Sequence, residues 1–504
     1  MNRKTLILGG FIVLKFVLQY ALVGPEYELH RDEYLHLDQG NHLAWGFLSV
    51  PPVTSWISMI IKFLGNSVFW VRFFPALFGA LTILVVWKSI EYLKGDLFAL
   101  VLGAAGVLFS VLTRLNILFQ PNSLDVLSWT AFYYILLRYL GSKNPRWLYG
   151  AAIVIALGFL NKYNVVFLLM GLVPAVLVTR ERAVFLKKEL YLAGLLALAI
   201  VMPNLWWQYR NDFPVARHLA ELSEKQLVNV NRLDFLGSQL LFFIGSVFVL
   251  IAGLAGLLYK RRFEPYRLFF WSFFFTLALF VCFKAKDYYA IGLYPIYIAF
   301  GAVAFADFSS GGWKRWLRSV VLILPPVFFV PLFRLAFPNK SPAYIVTHQD
   351  RYRDWGLLRW EDGKDHELPQ DFADMLGWKE LAAKVDSVYR GLEDRGHTLV
   401  LCDNYGQAGA INFYTSERIR AVSFNADYIN WFELDKPYVN LIRVKNRGGS
   451  ETELAETAPY FEKAEIAGSV TNRYARESGT AIFSFAGARV NVNERIEQEI
   501  REKR

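Results

Sequence analysis

Long apolar runs separated by short polar breaks fill the first two thirds of the chain, at 5–23, 68–87, 97–113, 124–141, 147–161, 163–179, 190–207, 234–258, 267–283, 288–306 and 315–335. A helix needs roughly 17–25 mainly apolar residues to cross a bilayer, so this spacing predicts a polytopic α-helical membrane protein of about 11 spans. The run 53–64 is apolar but short and reads as an interfacial helix. The opening run is too long for a signal peptide, lacks a small-residue cleavage site and carries Lys15. Asn161-Lys162-Tyr163-Asn164 interrupts one apolar stretch, which reads either as a bent helix or as two short helices meeting at the surface.

Beyond residue 339 the pattern changes. Trp378 to Leu392 has a helical period with Leu381, Val385 and Val388 on one face, and Thr398 to Cys402 is a buried-strand pattern. Ala408 to Tyr414 reads as a helix, while Tyr438 to Val444 and Thr480 to Phe485 read as strands, in an order compatible with a Rossmann-like sheet. Asp403-Asn404-Tyr405-Gly406-Gln407 is no GxGxxG loop and implies no nucleotide. The charged end, Asn493 to Arg504, is expected to fray. The chain thus divides into a transmembrane domain, residues 1–339, and a soluble extracytoplasmic α/β domain, residues 340–504.

Composition agrees with the pattern: 55% of residues are hydrophobic and 19% charged, against about 25% charged in an ordinary soluble domain. Two cysteines, Cys282 and Cys402, exclude a disulfide scaffold and a zinc ribbon. The net charge of +10 suggests nucleic acid only until the charges are placed. Residues 340–504 hold 23 Lys/Arg and 27 Asp/Glu, whereas residues 1–339 hold 31 and 17, so the excess belongs to the membrane part. Much of it lies in alternate short loops, such as Arg138, Lys143 and Arg146, then Arg180, Arg182, Lys187 and Lys188, then Lys260, Arg261 and Arg262. The positive-inside rule makes those loops cytoplasmic. The alternation survives only if 147–179 is two helices, which puts the N-terminus inside and the C-terminus outside. Nucleic acid is excluded as a partner.

Basic residues remain at the depleted outer face, among them Arg31, Arg114, Lys162, Arg210, Lys284 and Lys286. An anionic ligand there is one reason for them, and snorkelling anchors are the other. The first outer loop adds carboxylates, in His30-Arg31-Asp32-Glu33-Tyr34-Leu35-His36. If 31–45 is helical, Asp32 and His36 share a face while Glu33 points about 100° away. Such an Asp suits a general base on an acceptor hydroxyl; the same pair also suits a helix start, complementing its dipole. His30, His36 and His42 do not align on one helix face, so no zinc site is expected, while a divalent ion held by Asp32, Glu33 and a phosphate stays open.

Arg31-Asp32-Glu33, Gly40-x-His42-Leu43-Ala44-Trp45-Gly46 and Pro51-Pro52 closely resemble the first loop of bacterial GT-C membrane glycosyltransferases, a group similar to dolichyl-phosphate-mannose protein mannosyltransferases and to the aminoarabinose transferase of lipid A. Gly158 to Tyr163, Lys286-Asp287-Tyr288-Tyr289 with Gly292 to Pro295, and Gln120 to Asp125 resemble later motifs of the group, so the resemblance covers about residues 1–310. The 207–233 connector also resembles a family segment, read either as a lid or as a fixed amphipathic link. One departure is Val50, where many members carry a charged or amide residue before the Pro-Pro pair. If that position helps hold the donor phosphate, other groups share its role here, or the donor is handled differently.

The resemblance implies inverting transfer of a sugar, hexosyl or pentosyl, from a polyprenyl-phosphate donor to an extracytoplasmic lipid, glycan or protein acceptor. The enzyme would sit in the inner membrane and need no cofactor and no metal. Asp32 and Glu33 are the catalytic candidates. Arg114, Lys162, Arg210, Lys284 and Lys286 are the candidates for the donor phosphate, whose charge grows as it leaves. Arg31, His42, Asp125, Tyr288 and Tyr289 are the candidates for substrate binding, with an N-cap as the other reading of Asp125. The alternative class is a flippase or transporter, or a non-catalytic binder of lipid-linked glycans. A transporter predicts two related halves with acids and broken helices near mid-membrane, and no internal repeat is visible.

Overall fold

The computed structural model describes every residue except Met1, Gln226, Val228, Asn229 and Arg504, so part of the 207–233 connector lies outside the described residues. The chain forms two compact units: one of residues 1–23, 45–54 and 69–337, the other of residues 24–44, 55–68 and 338–504. The first loop, from Gly24 to Ala44, therefore folds with the C-terminal residues.

The first unit is helical. Among the described residues, six of its helices are long and apolar enough to cross a membrane: Arg3–Ala21, Val68–Tyr92, Lys188–Arg210, Arg261–Cys282, Asp287–Phe308 and Gly312–Leu335. A seventh candidate is the pair Arg232–Phe242 and Ile244–Tyr259, bent by 63°. The runs expected at 97–113, 147–161 and 163–179 fall on shorter apolar helices, Leu97–Leu108, Arg146–Asn161 and Val165–Leu177, and 124–141 falls on Asn122–Ser142. The stretch around Lys162 is two helices, because Lys162 has extended backbone, φ −157° and ψ 129°.

At the centre of this unit every residue from Tyr294 to Ala304 is buried. The Val247–Tyr259 helix crosses it where a Cβ on Gly253 would lie only 2.6 Å from the Tyr297 carbonyl oxygen. Small residues at such crossings let backbones approach, which is how helices associate where lipid removes the hydrophobic driving force. Tyr297 donates to the Phe269 carbonyl at 2.7 Å, and Tyr133 bonds the Ser272 hydroxyl at 3.0 Å, so these buried phenols are satisfied.

The second unit is built on a five-stranded sheet, β1 (Thr398–Cys402), β2 (Ala421–Ser423), β3 (Asn440–Lys445), β4 (Phe461–Ser469) and β5 (Ala481–Ala488), in the order β2-β1-β3-β5-β4. β1 runs parallel to β2 and β3, and β5 runs antiparallel to β3 and β4. Three strands are thus Rossmann-like and two are an antiparallel extension. The helices expected near 378 and 408 are present as Trp378–Gly391 and Tyr405–Tyr414. The charged C-terminus does not fray: Val492–Lys503 is a helix, and Val492, Ile496 and Ile500, four residues apart, form a stripe in the core.

The first-loop helix, Arg31–Gln39, packs on the Tyr405–Tyr414 helix across Gly406 and Gly409. A Cβ on Gly409 would lie 2.7 Å from Tyr34 Cβ and 2.6 Å from the Tyr428 hydroxyl. Overpacking of this kind costs about 1–3 kcal/mol. Gly409→Val is expected to lower the thermal midpoint of the detergent-purified full chain, while Gly391→Ala, with nothing within 4 Å, leaves it in place.

Candidate functional site

Most of the candidate residues fall into two clusters, one in each unit, and each cluster is described in its own frame. In the C-terminal unit, the Arg31–Gln39 helix begins at His30, which has extended backbone, φ −73° and ψ 147°. The His30 ring Nδ1 accepts from the Asp32 amide at 3.2 Å, and Glu33 Oε2 accepts from the His30 amide at 2.6 Å. These two bonds form a capping box with a histidine where Ser or Thr usually stands. Glu33 is wholly buried and spends this contact on the backbone.

Asp32, one residue earlier, is differently placed. Its Oδ1 accepts the Tyr405 hydroxyl at 2.6 Å, and its Oδ2 is 3.7 Å from His30 Nδ1. The Arg31 guanidinium lies over the Tyr405 ring, 4.6 Å from its centre. About a third of the Asp32 side chain stays exposed (34%). Burial works to raise the Asp32 carboxyl, but His30, Arg31 and the Tyr405 hydroxyl outweigh it and hold the group below its usual range. His30 shows the converse. Burial works to lower it, yet Asp32, with Asp374 at 3.5 Å and Asp371 at 3.9 Å, pushes it up to about 9.

The far end of the helix is anchored by Asp38, which accepts from Asn41 Nδ2 at 2.8 Å, Asn412 Nδ2 at 2.6 Å and the Tyr428 hydroxyl at 2.6 Å. His36 Nδ1 is 3.1 Å from Gln39 Oε1, and Gln39 donates to Asp427 at 2.9 Å. His42 stacks on Trp431 with ring centres 4.2 Å apart. Before the helix, Glu28 accepts from the Trp378 amide at 2.7 Å and the Lys379 amide at 3.2 Å, capping the Trp378–Gly391 helix. The first loop is thus tied to C-terminal residues at both of its ends.

In the helical unit, the structure brings together Asp125, Lys162, Lys286, Tyr288 and Tyr289. Lys162 Nζ donates to Asn122 Oδ1 at 2.7 Å and lies 4.4 Å from the Tyr289 ring centre and 5.2 Å from that of Tyr288. Asn164 Nδ2 bridges Asp125 Oδ2 and the Tyr289 carbonyl, at 2.9 Å each. Trp129 Nε1 donates to the other Asp125 oxygen at 3.0 Å. Asp125 is buried in the first turn of its helix, whose N-cap is Pro121, so it is not the cap: the Trp129 bond stays within the helix and the Asn164 bond is tertiary. Lys286 immediately precedes the turn Asp287–Leu293 that carries both tyrosines. Arg114, on the short Leu112–Leu115 helix, exposed Arg210, over Trp206 at 5.2 Å, and Lys284, at φ 50°, occupy separate helix ends.

Tyr405, Asp374 and Asp38 were not expected as members of either cluster. Tyr405 stands 373 residues from Asp32 in the chain, and no local period signals such a pairing. The nearest sequence signal is negative: Asp403 to Gln407 is a polar stretch at a strand-to-helix turn that fits no nucleotide loop.

Residues 49–207 match the dolichyl-phosphate-mannose-protein mannosyltransferase family, a stretch that holds Arg114, Asp125 and Lys162. The lipid A galacturonosyltransferase RgtD of Rhizobium johnstonii is 26% identical over 244 residues, 46% of this chain and 50% of that protein. The chain thus matches about half the length of this curated relative. Among solved structures, ArnT from Cupriavidus metallidurans bound to undecaprenyl phosphate is similar over 96% of this chain and 98% of that one, with a TM-score of 0.63 at 14% identity. Its apo state is similar over the same shares, with a TM-score of 0.59 at 13% identity. At that identity the likeness speaks for the fold. The resemblance to GT-C membrane glycosyltransferases of the ArnT-like type, read from the first loop, is borne out.

Because the folded value of His30 lies above its ordinary 6.5, the stability it adds is complete below about 6.5 and is lost as pH rises through about 9. The comparison variant is His30→Asn, which keeps a capping acceptor but no charge. The difference in thermal midpoint between wild type and variant is expected to shrink to nothing across that window; a pH-independent difference would contradict the charged pairing.

Proposed function

We propose, on the premise that the chain is a membrane glycosyltransferase of the GT-C type, that it moves a sugar from a polyprenyl-phosphate carrier to a lipid or glycan acceptor at the extracytoplasmic face of the inner membrane. The relatives support this reading: RgtD is named for galacturonosyl transfer to lipid A, and ArnT was solved with undecaprenyl phosphate. The observation that carries it is Asp32. It is a carboxylate on a buried helix, held ionised by Tyr405, His30 and Arg31, with part of its side chain left open.

The acceptor hydroxyl oxygen attacks the anomeric carbon from the face opposite the carrier, so the configuration inverts. The carbon–oxygen bond to the phosphate breaks, and the carrier leaves with a second negative charge. The hydroxyl proton passes to Asp32. A carboxylate held below its usual range is a weak base, so it takes the proton only once bond formation has acidified the hydroxyl. Glu33 fixes the first turn that carries Asp32, and Arg31 and His42 flank the acceptor side. Lys162, with Lys286 and the Tyr288 and Tyr289 rings around it, receives the growing phosphate charge. Asp125 orients Asn164 beneath that lysine. Arg114, Arg210 and Lys284 add positive charge at the same face. No cofactor or metal enters the scheme.

In this reading the chain crosses the membrane eleven times, with its N-terminus inside and residues 340–504 outside, where they form an α/β domain together with the first loop. Two experiments test it. Asp32→Asn, assayed with purified protein and a polyprenyl-phosphate sugar, is expected to lose transfer by at least about 100-fold while remaining folded and keeping donor affinity; full activity would remove Asp32 as the base. Alkaline phosphatase fused after Lys503 is expected to be active and the same enzyme inserted beside Lys143 inactive, and the reverse pattern would overturn the topology.

A further inference from the structure

The C-terminal unit holds a cavity of about 320 Å³ that neither cluster uses, with Arg395, Arg418, Arg420, Lys436, Trp431 and Tyr438 among its walls. Glu433 is the acid on the wall, and it pairs with Arg420. Arg395, Arg418 and Lys436 form no ion pair among the described residues, so the cavity keeps a surplus of positive charge. The neighbouring acid Glu417 is taken by Arg390 at 3.0 Å.

The walls are held in place from behind. Buried Asp386 accepts from Thr415 Oγ1 at 2.6 Å and from the Ser416 amide and hydroxyl at 2.8 Å each, which pins the turn before Arg418. Asn412 accepts from the Ala421 amide at 2.7 Å and donates to its carbonyl at 3.0 Å, which pins the chain after Arg420. On the opposite wall, Asn493 Nδ2 donates to the Lys436 carbonyl at 2.8 Å, and the Tyr438 hydroxyl donates to the Glu433 carbonyl at 2.7 Å. Trp431 is fixed by His42, stacked at 4.2 Å, and by the Tyr428 ring at 4.7 Å. The Tyr389 hydroxyl donates to the Arg395 carbonyl at 2.9 Å, so all three cations stand on hydrogen-bonded turns, which lowers the cost of ordering them around an oxyanion.

Charge alone would suit any anion. The volume and the aromatic walls narrow the choice: about 320 Å³ lies at the small end of ligand pockets, roughly 300–1,000 Å³, with room for about one sugar ring. Trp431 and Tyr438 supply the apolar faces on which a pyranose rests. We propose that this cavity is a second saccharide subsite, which recognises a sugar through a phosphate or carboxylate substituent. It goes beyond the transfer reaction, and Trp431 links it to the first loop through His42.

The test is a binding titration of the purified full chain in detergent, and it needs no transfer activity. The probes are glucosamine 1-phosphate, glucuronic acid, glucose, glycerol phosphate as a lipid headgroup, and inorganic phosphate. At least one of the two sugar acids is expected to bind at least about tenfold more tightly than glucose, glycerol phosphate and inorganic phosphate. Arg418→Ala with Lys436→Ala is expected to weaken it by at least about tenfold at an unchanged thermal midpoint, and Arg395→Ala serves where the double variant does not fold. Equal binding of glycerol phosphate or inorganic phosphate overturns the proposal, as does absence of binding by both sugar acids. So does undiminished binding in a folded variant.

Discussion

The C-terminal unit is organised around the need to satisfy carboxylates on a nine-residue helix, Arg31–Gln39. Glu33 and Asp38 are buried and Asp32 partly so, and a buried carboxylate without partners is costly. Each is answered from a different place. The His30 backbone answers Glu33, Tyr405 answers Asp32, and Asn412 and Tyr428 answer Asp38. Because the partners of Asp32 and Asp38 come from residues 405–428, the loop and the sheet domain must fold together. Gly406 and Gly409 supply the close approach this requires.

The helical unit meets the same requirement with opposite charge. Lys162 is held by an amide and two aromatic faces instead of by a carboxylate. The carboxylate nearby, Asp125, has its oxygens taken by Trp129 and Asn164.

What the chain announces in advance follows from period and composition. The apolar runs mark the helices, the break at Asn161 to Asn164 marks two of them, and Thr398 to Cys402 marks β1. β4 gave no such signal, because Phe461 to Ser469 is mostly solvent-facing and carries charges where a half-buried strand would alternate. The end of the chain misleads in the other direction: its charges suggest a loose tail, while Val492, Ile496 and Ile500 form a sparse stripe that docks it. The resemblance made Asp32 a candidate, but its setting was not legible. Tyr405 is 373 residues away, and Asp374 is brought near by the pairing of the Arg31 amide with the Asp374 carbonyl. Contacts of that range depend on the completed fold and leave no trace in local spacing.

The cap at the start of the Arg31–Gln39 helix carries a consequence of its own. A ring nitrogen accepts a hydrogen bond only through a lone pair, and His30 Nδ1 uses that pair for the Asp32 amide. The surrounding carboxylates draw a second proton onto the same ring, and once Nδ1 is protonated it faces Asp32 Oδ2 as a donor. Serine or threonine in this position would cap at any pH. Histidine makes the helix end exclusive: the backbone amide of Asp32 and its carboxylate compete for one nitrogen, and a single proton decides between them.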